Sequence, residues 1–209
     1  MISTEISSDV QTQTWRILTT PAWSGEENMT YDLRTIQAVQ EGQLPPTLRF
    51  FRWSEPTVSY GKHQSPNDLY LKIPADWAAI QRPTGGGMVF HGNDLCFSLC
   101  WREGQQPLPV HLKDHYEWIH SVALQAIKPL FEARLARCED CSTTPDTLAT
   151  RDCFTQPVGF DILKGDQKIL GGALCRQKDT FLYQGSVQGI NTPDFEERLQ
   201  DAFKHALDA

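Results

Sequence analysis

Apolar residues recur at intervals of three and four in three stretches of the chain, the spacing that places side chains on one face of a helix. The first stretch opens at Ser24 and runs to about residue 41, the second ends near Pro129, and the third starts after Thr192-Pro193. We therefore expect three amphipathic helices. Their buried faces are predicted to carry Met29, Leu33, Ile36 and Val39; Tyr116, Ile119, Ala123, Ala126, Ile127 and Leu130; and Phe195, Leu199, Ala202, Phe203 and Ala206.

Short apolar runs between turn residues predict strands at 14–18, 48–53, 57–61, 88–90, 95–101, 159–163, 168–170 and 180–187. Gly165-Asp166 is typical of a hairpin turn, so the strands on either side of it should pair. Residues 134–152 are polar and irregular, which predicts a loop. Strands outnumber helices and the two do not alternate strictly. The order favours an α+β fold with a mixed, mostly antiparallel β-sheet and packed helices.

The composition narrows the class of protein. The 209 residues are 40% hydrophobic, enough for the core of one domain. We predict a disordered lead-in at residues 1–12 and a single domain at 13–209. The net charge of −7 disfavours broad binding to nucleic acid or to anionic membranes. No run approaches the roughly 18 apolar residues that span a bilayer. The polar N-terminus is unlike a signal peptide, so we expect a cytoplasmic protein.

Three consecutive glycines, Gly85, Gly86 and Gly87, stand between Arg82 and His91. Glycine tolerates positive φ and lets a ligand approach the backbone closely, but each one costs conformational entropy on folding. One interpretation is a flexible turn between two strands. The other is a loop whose N–H groups and neighbouring arginine bind an anionic or carbonyl ligand.

A second glycine-rich segment follows Lys168. The lysine leaves the predicted hairpin turn and precedes two apolar residues and the small residues Gly171, Gly172 and Ala173. An exposed lysine after a turn is the ordinary interpretation, since lysines mostly lie at the surface. The alternative is that Arg82 and Lys168 together clamp the carbonyl or phosphate of a ligand lying between the two glycine segments.

The chain has six cysteines, which should be reduced in a cytoplasmic protein. Cys96 and Cys100 lie in an apolar strand and are expected to be core residues. Cys138 and Cys141 have the spacing of a zinc ligand pair, but neither a second such pair nor a histidine pair follows. We therefore predict no metal site.

Four segments of the chain resemble, in order, the biotin/lipoate protein ligase superfamily in its lipoate ligase and octanoyltransferase branch. The resemblance covers roughly residues 28–190. Gln81 departs from it, where the family often has a second arginine, and so does Gly92, where an aspartate commonly follows the histidine. The segments are Asn28-Met29-Thr30-Tyr31-Asp32, residues 51–61, residues 82–91, and residues 161–176 together with Tyr183-Gln184-Gly185-Ser186.

The resemblance implies an enzyme that binds an octanoyl or lipoyl group in a narrow tunnel beside the glycine loop. It implies delivery of that group to one lysine of a lipoyl-carrier protein, such as the glycine-cleavage H protein or the lipoyl domain of a 2-oxoacid dehydrogenase. Ligases of the family first make an acyl adenylate and need ATP and Mg. Transferases take the acyl group from a carrier thioester through a cysteine and need no cofactor.

Cys153 distinguishes these two mechanisms. It lies eight residues before Asp161, where the cysteine-dependent octanoyltransferases carry their nucleophile, whereas ligases usually show an Arg-Asn-Asp-like segment. A cysteine suits thioester exchange because the product thioester can still acylate an amine. The resemblance therefore implies Cys153 as nucleophile and Lys168 as its electrostatic partner. The implied acyl- and substrate-binding residues are Arg82, Thr84, Gly85, Gly86, Gly87, His91, Gly171, Gly172 and Ala173.

Two other functions remain open from the sequence. The chain could be an ATP-dependent lipoate ligase in which Lys168 holds the adenylate phosphate and Cys153 is incidental. It could also be a non-catalytic relative that binds an acyl group or a carrier, an idea that the departures at Gln81 and Gly92 support. A biotin ligase is disfavoured, because Leu170-Gly171-Gly172-Ala173 matches the lipoate branch better.

Overall fold

The structure is a computed structural model that describes residues 14–69, 72–141 and 154–208. Its helices are α1 (Gly25–Gln40), α2 (Pro66–Leu69), α3 (Leu112–Ile127) and α4 (Phe195–Leu207). Its strands are β1 (Arg16–Thr19), β2 (Thr47–Phe51), β3 (Thr57–Tyr60), β4 (Ala78–Gln81), β5 (Val89–His91), β6 (Leu95–Arg102), β7 (Arg134–Leu135), β8 (Ile162–Lys164), β9 (Gln167–Gln177) and β10 (Thr180–Val187).

A seven-stranded sheet forms the centre of the fold, in the order β1-β2-β6-β10-β9-β8-β7. Every neighbouring pair in it is antiparallel except β1 and β2, which are parallel. A smaller sheet has the order β4-β3-β5, with β3 parallel to β4 and antiparallel to β5. The predicted α+β class with a mostly antiparallel, mixed sheet is confirmed, although the strands divide between two sheets.

The helices cover both faces of the large sheet. Phe181 and Tyr183 of β10 point to the face covered by α3 and α4, where Phe203 belongs to the same core cluster. Leu182, between them, points to the opposite face and packs with Ile36 of α1. This alternation is what a strand buried on both sides requires. Within the described ranges, no helix is long and apolar enough to cross a membrane.

Helix α1 begins where the sequence predicts. Ser24 is its N-cap: the hydroxyl accepts a hydrogen bond from the N–H of Glu27, and the Glu27 carboxylate accepts one from the N–H of Ser24 at 2.9 Å. This capping box satisfies backbone donors that a helix start leaves open. Helix α3 begins at Leu112 and ends at Ile127, close to the predicted end near Pro129. Helix α4 differs from the prediction at its start, because it begins at Phe195 after an Asp194 N-cap and not at Thr192-Pro193.

Strand β9 differs most from the prediction. It continues through Gly171-Gly172 to Gln177 instead of ending at Leu170. Gly172 lies opposite Gly185 of β10, and a Cβ at either position would overlap the ring of Tyr183. Gly172 and Gly185 are therefore strand residues that make room for a tyrosine. Part of the predicted loop at 134–152 forms β7, while residues 142–153 and the predicted lead-in at 1–12 lie outside the described residues.

A buried arginine joins α1 to the large sheet. Arg49 on β2 lies 3.0 Å from Oδ1 of Asp32 on α1, and each side chain is only 1% exposed. The guanidinium also donates to Thr20 and to Asn28. Its remaining faces are covered by aromatic rings, so the charge is enclosed by partners throughout; these rings belong to Trp23, Tyr31 and Phe51.

We predict that Arg49→Met lowers the free energy of unfolding by about 3 kcal/mol or more, because Asp32 would stay buried without its counter-charge. Arg102→Met is the matched control, since it removes the exposed ion pair with Asp179 and should cost less than about 1 kcal/mol. Urea denaturation of the two variants measures the difference. Equal losses would show that the buried pair is not what ties α1 to the sheet.

Candidate active site

An apolar cavity lies between the two sheets. Residues of β3 and β5 form one wall, and residues of β6, β9 and β10 form the other. The unfilled space between its walls, with the open solvent at its mouth counted, is about 440 Å³. The lining residues are Met29, Phe51, Trp53, Ser59, Arg82, Val89, His91, Cys96, Phe154, Gly171, Gly172, Ala173, Gln184, Gly185 and Ser186.

The glycine loop is folded around the side chain of Arg82. Nη2 donates to the carbonyl oxygens of Gly85 and Gly87, each at 2.6 Å, and Nε donates to Gly85 at 3.2 Å. Nη1 donates to the carbonyl and hydroxyl oxygens of Ser59. Gly86, between the two bonded glycines, has a φ of 87°, which an L side chain rarely adopts. The loop is therefore a fixed structure and not a flexible turn.

A second anchor holds the start of the loop. The hydroxyl of Thr84 donates to Oε1 of Gln184 at 2.8 Å, and Nε2 of Gln184 donates to Oδ2 of Asp32 at 2.7 Å. Asp32 is the partner of Arg49, so the loop is joined to the buried ion pair beneath α1. All these side chains are buried.

His91 stands at the centre of a buried polar cluster. Its Nε2 lies 2.8 Å from the Ser59 hydroxyl, and its Nδ1 lies 2.6 Å from Oδ2 of Asp94. The imidazole stacks on Trp53 with a centroid distance of 4.1 Å. Asp94 therefore provides a carboxylate for the histidine, although glycine stands at position 92.

The electrostatics of Asp94 are set by opposing effects. Burial raises its pKa, but the charge of His91 and hydrogen bonds from His91, Ser186 and Cys96 outweigh burial and lower the pKa to about 2. Asp94 is thus a carboxylate at neutral pH. Its other oxygen accepts from the N–H of Gly92 at 3.1 Å.

His91, Asp94 and Cys96 could in principle hold a metal ion, because their donor atoms lie within 4.8 Å of one another. The same atoms are already hydrogen-bond partners, with the Cys96 thiol donating to Asp94 at 3.1 Å. Burial and then the charge of Asp94 raise the pKa of Cys96 well above its usual range. Since metals bind the thiolate, the donor set fits a hydrogen-bonded cluster better than a metal site.

Lys168 is buried in an ion pair. Its Nζ lies 2.8 Å from Oδ2 of Asp161, and the two side chains are 4% and 0% exposed. Asp161 also accepts from the N–H of Val158 at 2.7 Å and from the hydroxyl of Tyr116 at 2.6 Å. The Tyr116 oxygen in turn accepts from the N–H of Gly172 at 3.1 Å. The Lys168 side chain is therefore held in one position beside β9, the strand that contributes Gly171, Gly172 and Ala173 to the cavity wall.

A second, more open pocket adjoins the apolar cavity, and Gly172 and Ala173 line both. Lys168 opens into this second pocket together with the three glycines of the loop. Phe154 lines the first cavity, and its ring centre lies 5.2 Å from Nζ of Lys168. An elongated ligand could thus place an apolar chain between the sheets and a polar end beside Lys168.

The structure brings together most of the residues singled out from the sequence. Arg82, His91, Gly171, Gly172 and Ala173 line the apolar cavity, and Gly85, Gly86, Gly87 and Lys168 line the adjoining pocket. Thr84 lies behind the loop, buried against Gln184. Cys153 lies outside the described residues.

Sequence reasoning missed the side chains that hold these residues in place. Asp161, Tyr116 and Asp94 contact site residues directly, yet only Asp161 fell within a segment that resembles the family. Tyr116 was assigned to a helical core stripe, which correctly places it on α3 but says nothing of its hydroxyl. No local pattern marks Asp94, because its role depends on contacts with β5 and β10.

The fold resembles solved lipoate ligases. A protein from T. acidophilum with bound lipoic acid has a TM-score of 0.69 and 19% identity, and the match covers 93% of this chain and 86% of that one. Lipoate-protein ligase A bound with ATP has a TM-score of 0.70 and 18% identity, with the same coverage. At such identities the likeness defines the class of fold, that of the lipoate protein ligases.

The chain belongs to the family of the lipoyl protein ligase A/B catalytic domain, whose model matches residues 24–204. Among its relatives, octanoyltransferase LipM of Kyrpidia tusciae is 30% identical over 84% of this chain. Octanoyltransferase LipM of Symbiobacterium thermophilum is 32% identical over 83% of it. The chain spans 66% and 64% of the lengths of these two proteins, just under two thirds.

His120 contacts two tyrosines, Tyr183 and Tyr116, next to the candidate site. Its Nε2 lies 2.6 Å from the hydroxyl of Tyr183, and its ring packs on Tyr116 with a centroid distance of 4.0 Å. Burial and then the charge of Lys168 lower the pKa of His120 to about 3, although the nearby backbone of Phe160, acting as an acceptor, opposes the shift. The imidazole is therefore neutral in the folded protein at ordinary pH.

We predict that the protein loses stability as the pH falls from about 6.5 toward 3. The unfolded chain binds a proton at His120 near pH 6.5 and the folded chain does not, which costs about 2 kcal/mol by pH 5. In urea denaturation, His120→Gln should lose this part of the pH dependence, while a control change at the exposed His205 should keep it. An unchanged slope in His120→Gln would contradict the assignment.

Proposed function

We propose that this chain transfers an octanoyl or lipoyl group to a specific lysine of a lipoyl-carrier protein, through a thioester on Cys153. The catalytic unit would be the single domain predicted at residues 13–209. The observation that carries the proposal is the apolar cavity that adjoins the pocket of the Lys168–Asp161 ion pair. The names of the LipM relatives support octanoyl as the acyl group.

The cavity suits a medium-length alkyl chain. Its walls are mostly aliphatic and aromatic side chains and glycine backbone, and its polar side chains include Ser59, Gln184 and Ser186, each of which has a hydrogen-bond partner within the protein. Each methylene removed from water contributes about 0.8 kcal/mol, so full burial of the seven apolar carbons of an octanoyl chain would contribute about 6 kcal/mol. That gain would hold a thioester donor in place without a nucleotide.

The reaction proceeds in two steps. The Cys153 thiolate attacks the thioester carbonyl of the donor, a new carbon–sulfur bond forms, and the donor thiolate leaves and takes a proton. The amine of the carrier lysine then attacks the Cys153 thioester, an amide bond forms, and the Cys153 thiolate is released as the amine loses its proton. Both steps pass through a negatively charged oxygen on the acyl carbon.

Lys168 is the group best suited to stabilise that oxygen. It is a buried ammonium, fixed by Asp161, at the pocket where the acyl head group would lie. A charged donor that is already oriented acts more strongly on developing charge than one that must reorient from water. Phe154, which follows Cys153 in the chain, reaches both the acyl cavity and Lys168, and this supports Cys153 as the nucleophile.

The proposal names its partners by class. The acceptor is a lipoyl-carrier protein, for which the glycine-cleavage H protein and the lipoyl domain of a 2-oxoacid dehydrogenase are the two candidates. The donor is an octanoyl or lipoyl thioester, and no cofactor is required. An ATP-dependent ligase on the same fold is the competing function, and the first experiment below separates the two.

We predict that incubation with an octanoyl thioester donor adds one octanoyl group to Cys153, visible in the intact mass of the protein. The adduct should then pass to a lipoyl domain without ATP. Incubation with free octanoate or lipoate plus ATP and magnesium should release no pyrophosphate, because the donor thioester already stores the activation energy.

Cys153→Ser is the matched variant and should abolish transfer, while Cys141→Ser should leave it unchanged. Full transfer by Cys153→Ser, or pyrophosphate release with free lipoate, would overturn the transferase and favour the ligase. Absence of both reactions in the unmodified protein would favour a non-catalytic binding protein.

For Lys168, we predict that Lys168→Met lowers the rate of acyl transfer by about a hundredfold or more, the usual scale for one preorganised donor. It should also destabilise the fold, because Asp161 would remain buried without its partner. Single-turnover transfer from the octanoylated protein measures the rate, and urea denaturation measures the stability.

The double variant Lys168→Met/Asp161→Asn separates these two effects. It removes both charges, so stability should recover in part while the rate stays low. Recovery of the rate along with stability would mean that Lys168 serves only the fold.

A further inference from the structure

A continuous line of buried hydrogen bonds runs from Asp94 to the glycine loop. Asp94 bonds to His91, His91 bonds to the Ser59 hydroxyl, and that hydroxyl bonds to Arg82. Arg82 then holds the carbonyl oxygens of the loop. Each of these four side chains is less than 10% exposed, so water does not replace the bonds readily.

The two ends of this line have fixed roles, because a guanidinium can only donate and a carboxylate can only accept. Nη1 of Arg82 donates to the Ser59 hydroxyl at 3.2 Å, and Nδ1 of His91 donates to the Asp94 carboxylate at 2.6 Å. The bond between the Ser59 hydroxyl and Nε2 of His91 completes the line, and the tautomer of the imidazole sets its direction. Buried hydrogen bonds in such a chain polarise and strengthen one another.

Arg82, at the opposite end of this line from Asp94, determines which way the peptide groups of the glycine loop face. The carbonyl oxygens of Gly85 and Gly87 turn toward Arg82. In a trans peptide the N–H points opposite to the carbonyl, so the N–H of Gly86 turns away from Arg82. The pocket lined by the three glycines and Lys168 lies along this loop. Its backbone donors are therefore oriented by a side chain that does not itself enter that pocket.

We propose that Asp94 is a positioning residue for acyl transfer, which acts through His91, Ser59 and Arg82 to hold the glycine loop in its binding conformation. The inference rests on the proposed function for its rate effect, but the docking of Arg82 can be measured without any substrate. Asp94 lies three residues beyond the histidine of the glycine-loop segment, and no sequence pattern selects it.

The position of Arg82 is followed through its Nε–H, which donates to Gly85. We expect exchange of this proton with solvent, measured by NMR on the protein alone, to accelerate at least tenfold in Asp94→Ala and in Ser59→Ala. Asn93→Ala, an exposed neighbour, is the matched control and should leave the exchange unchanged. Unchanged exchange in a folded Ser59→Ala would overturn the proposal even if Asp94→Ala fails to fold.

The rate effect is tested by a double-mutant cycle. Each single variant should lower kcat for octanoyl transfer by about tenfold, less than loss of a direct donor, with little change in KM. Because both substitutions break the same line of bonds, the double variant Asp94→Ala/Ser59→Ala should lose no more kcat than either single variant. A double variant whose loss of kcat is the product of the two single losses would overturn the proposal.

Asp94→Asn keeps an oxygen acceptor for His91, so it should recover part of the rate that Asp94→Ala loses. If the unmodified protein transfers no acyl group, the proposed function fails while the exchange measurement still decides the role of Asp94.

Discussion

The rest of the candidate site depends on the hydrogen bonds that Arg82 donates to the glycine loop. Three glycines in sequence have many conformations open to them, and the guanidinium selects one by bonding Gly85 and Gly87. The loop forms a wall of the pocket that holds Lys168, and Arg82 itself lines the adjoining apolar cavity. Arg82 therefore shapes the candidate site by organising backbone, which differs from the direct clamp on a ligand that the sequence suggested as one interpretation.

Two networks of buried polar side chains connect the glycine loop to the rest of the fold. One runs from Thr84 through Gln184 to the Asp32–Arg49 pair beneath α1, and the other runs from Arg82 to Asp94. Lys168 has its own support in Asp161, which the hydroxyl of Tyr116 also contacts. Buried polar groups are costly unless every one is paired, so these networks restrict the site to a single geometry.

Local patterns in the sequence were sufficient for most elements and insufficient for the contacts between them. Periodicity located α1 and the run of β10, and the Gly165-Asp166 signal placed the β8–β9 hairpin. The predicted strand stops at Leu170, yet β9 continues through Gly171 and Gly172, where a side chain would overlap Lys168 and Tyr183 respectively. Burial of Lys168 and the role of Asp94 depend on partners distant in sequence, which no local spacing encodes.

The most direct measurement of the central claim is a crystal structure with octanamide, a non-reactive mimic of the acyl group. The alkyl chain should lie between the two sheets, against the glycine backbone of β9. The amide oxygen should fall within hydrogen-bonding distance of Nζ of Lys168, about 3 Å. A chain bound elsewhere, or one that places its amide deep between Trp53 and His91 with the methyl end at Lys168, would contradict the assignment of the site.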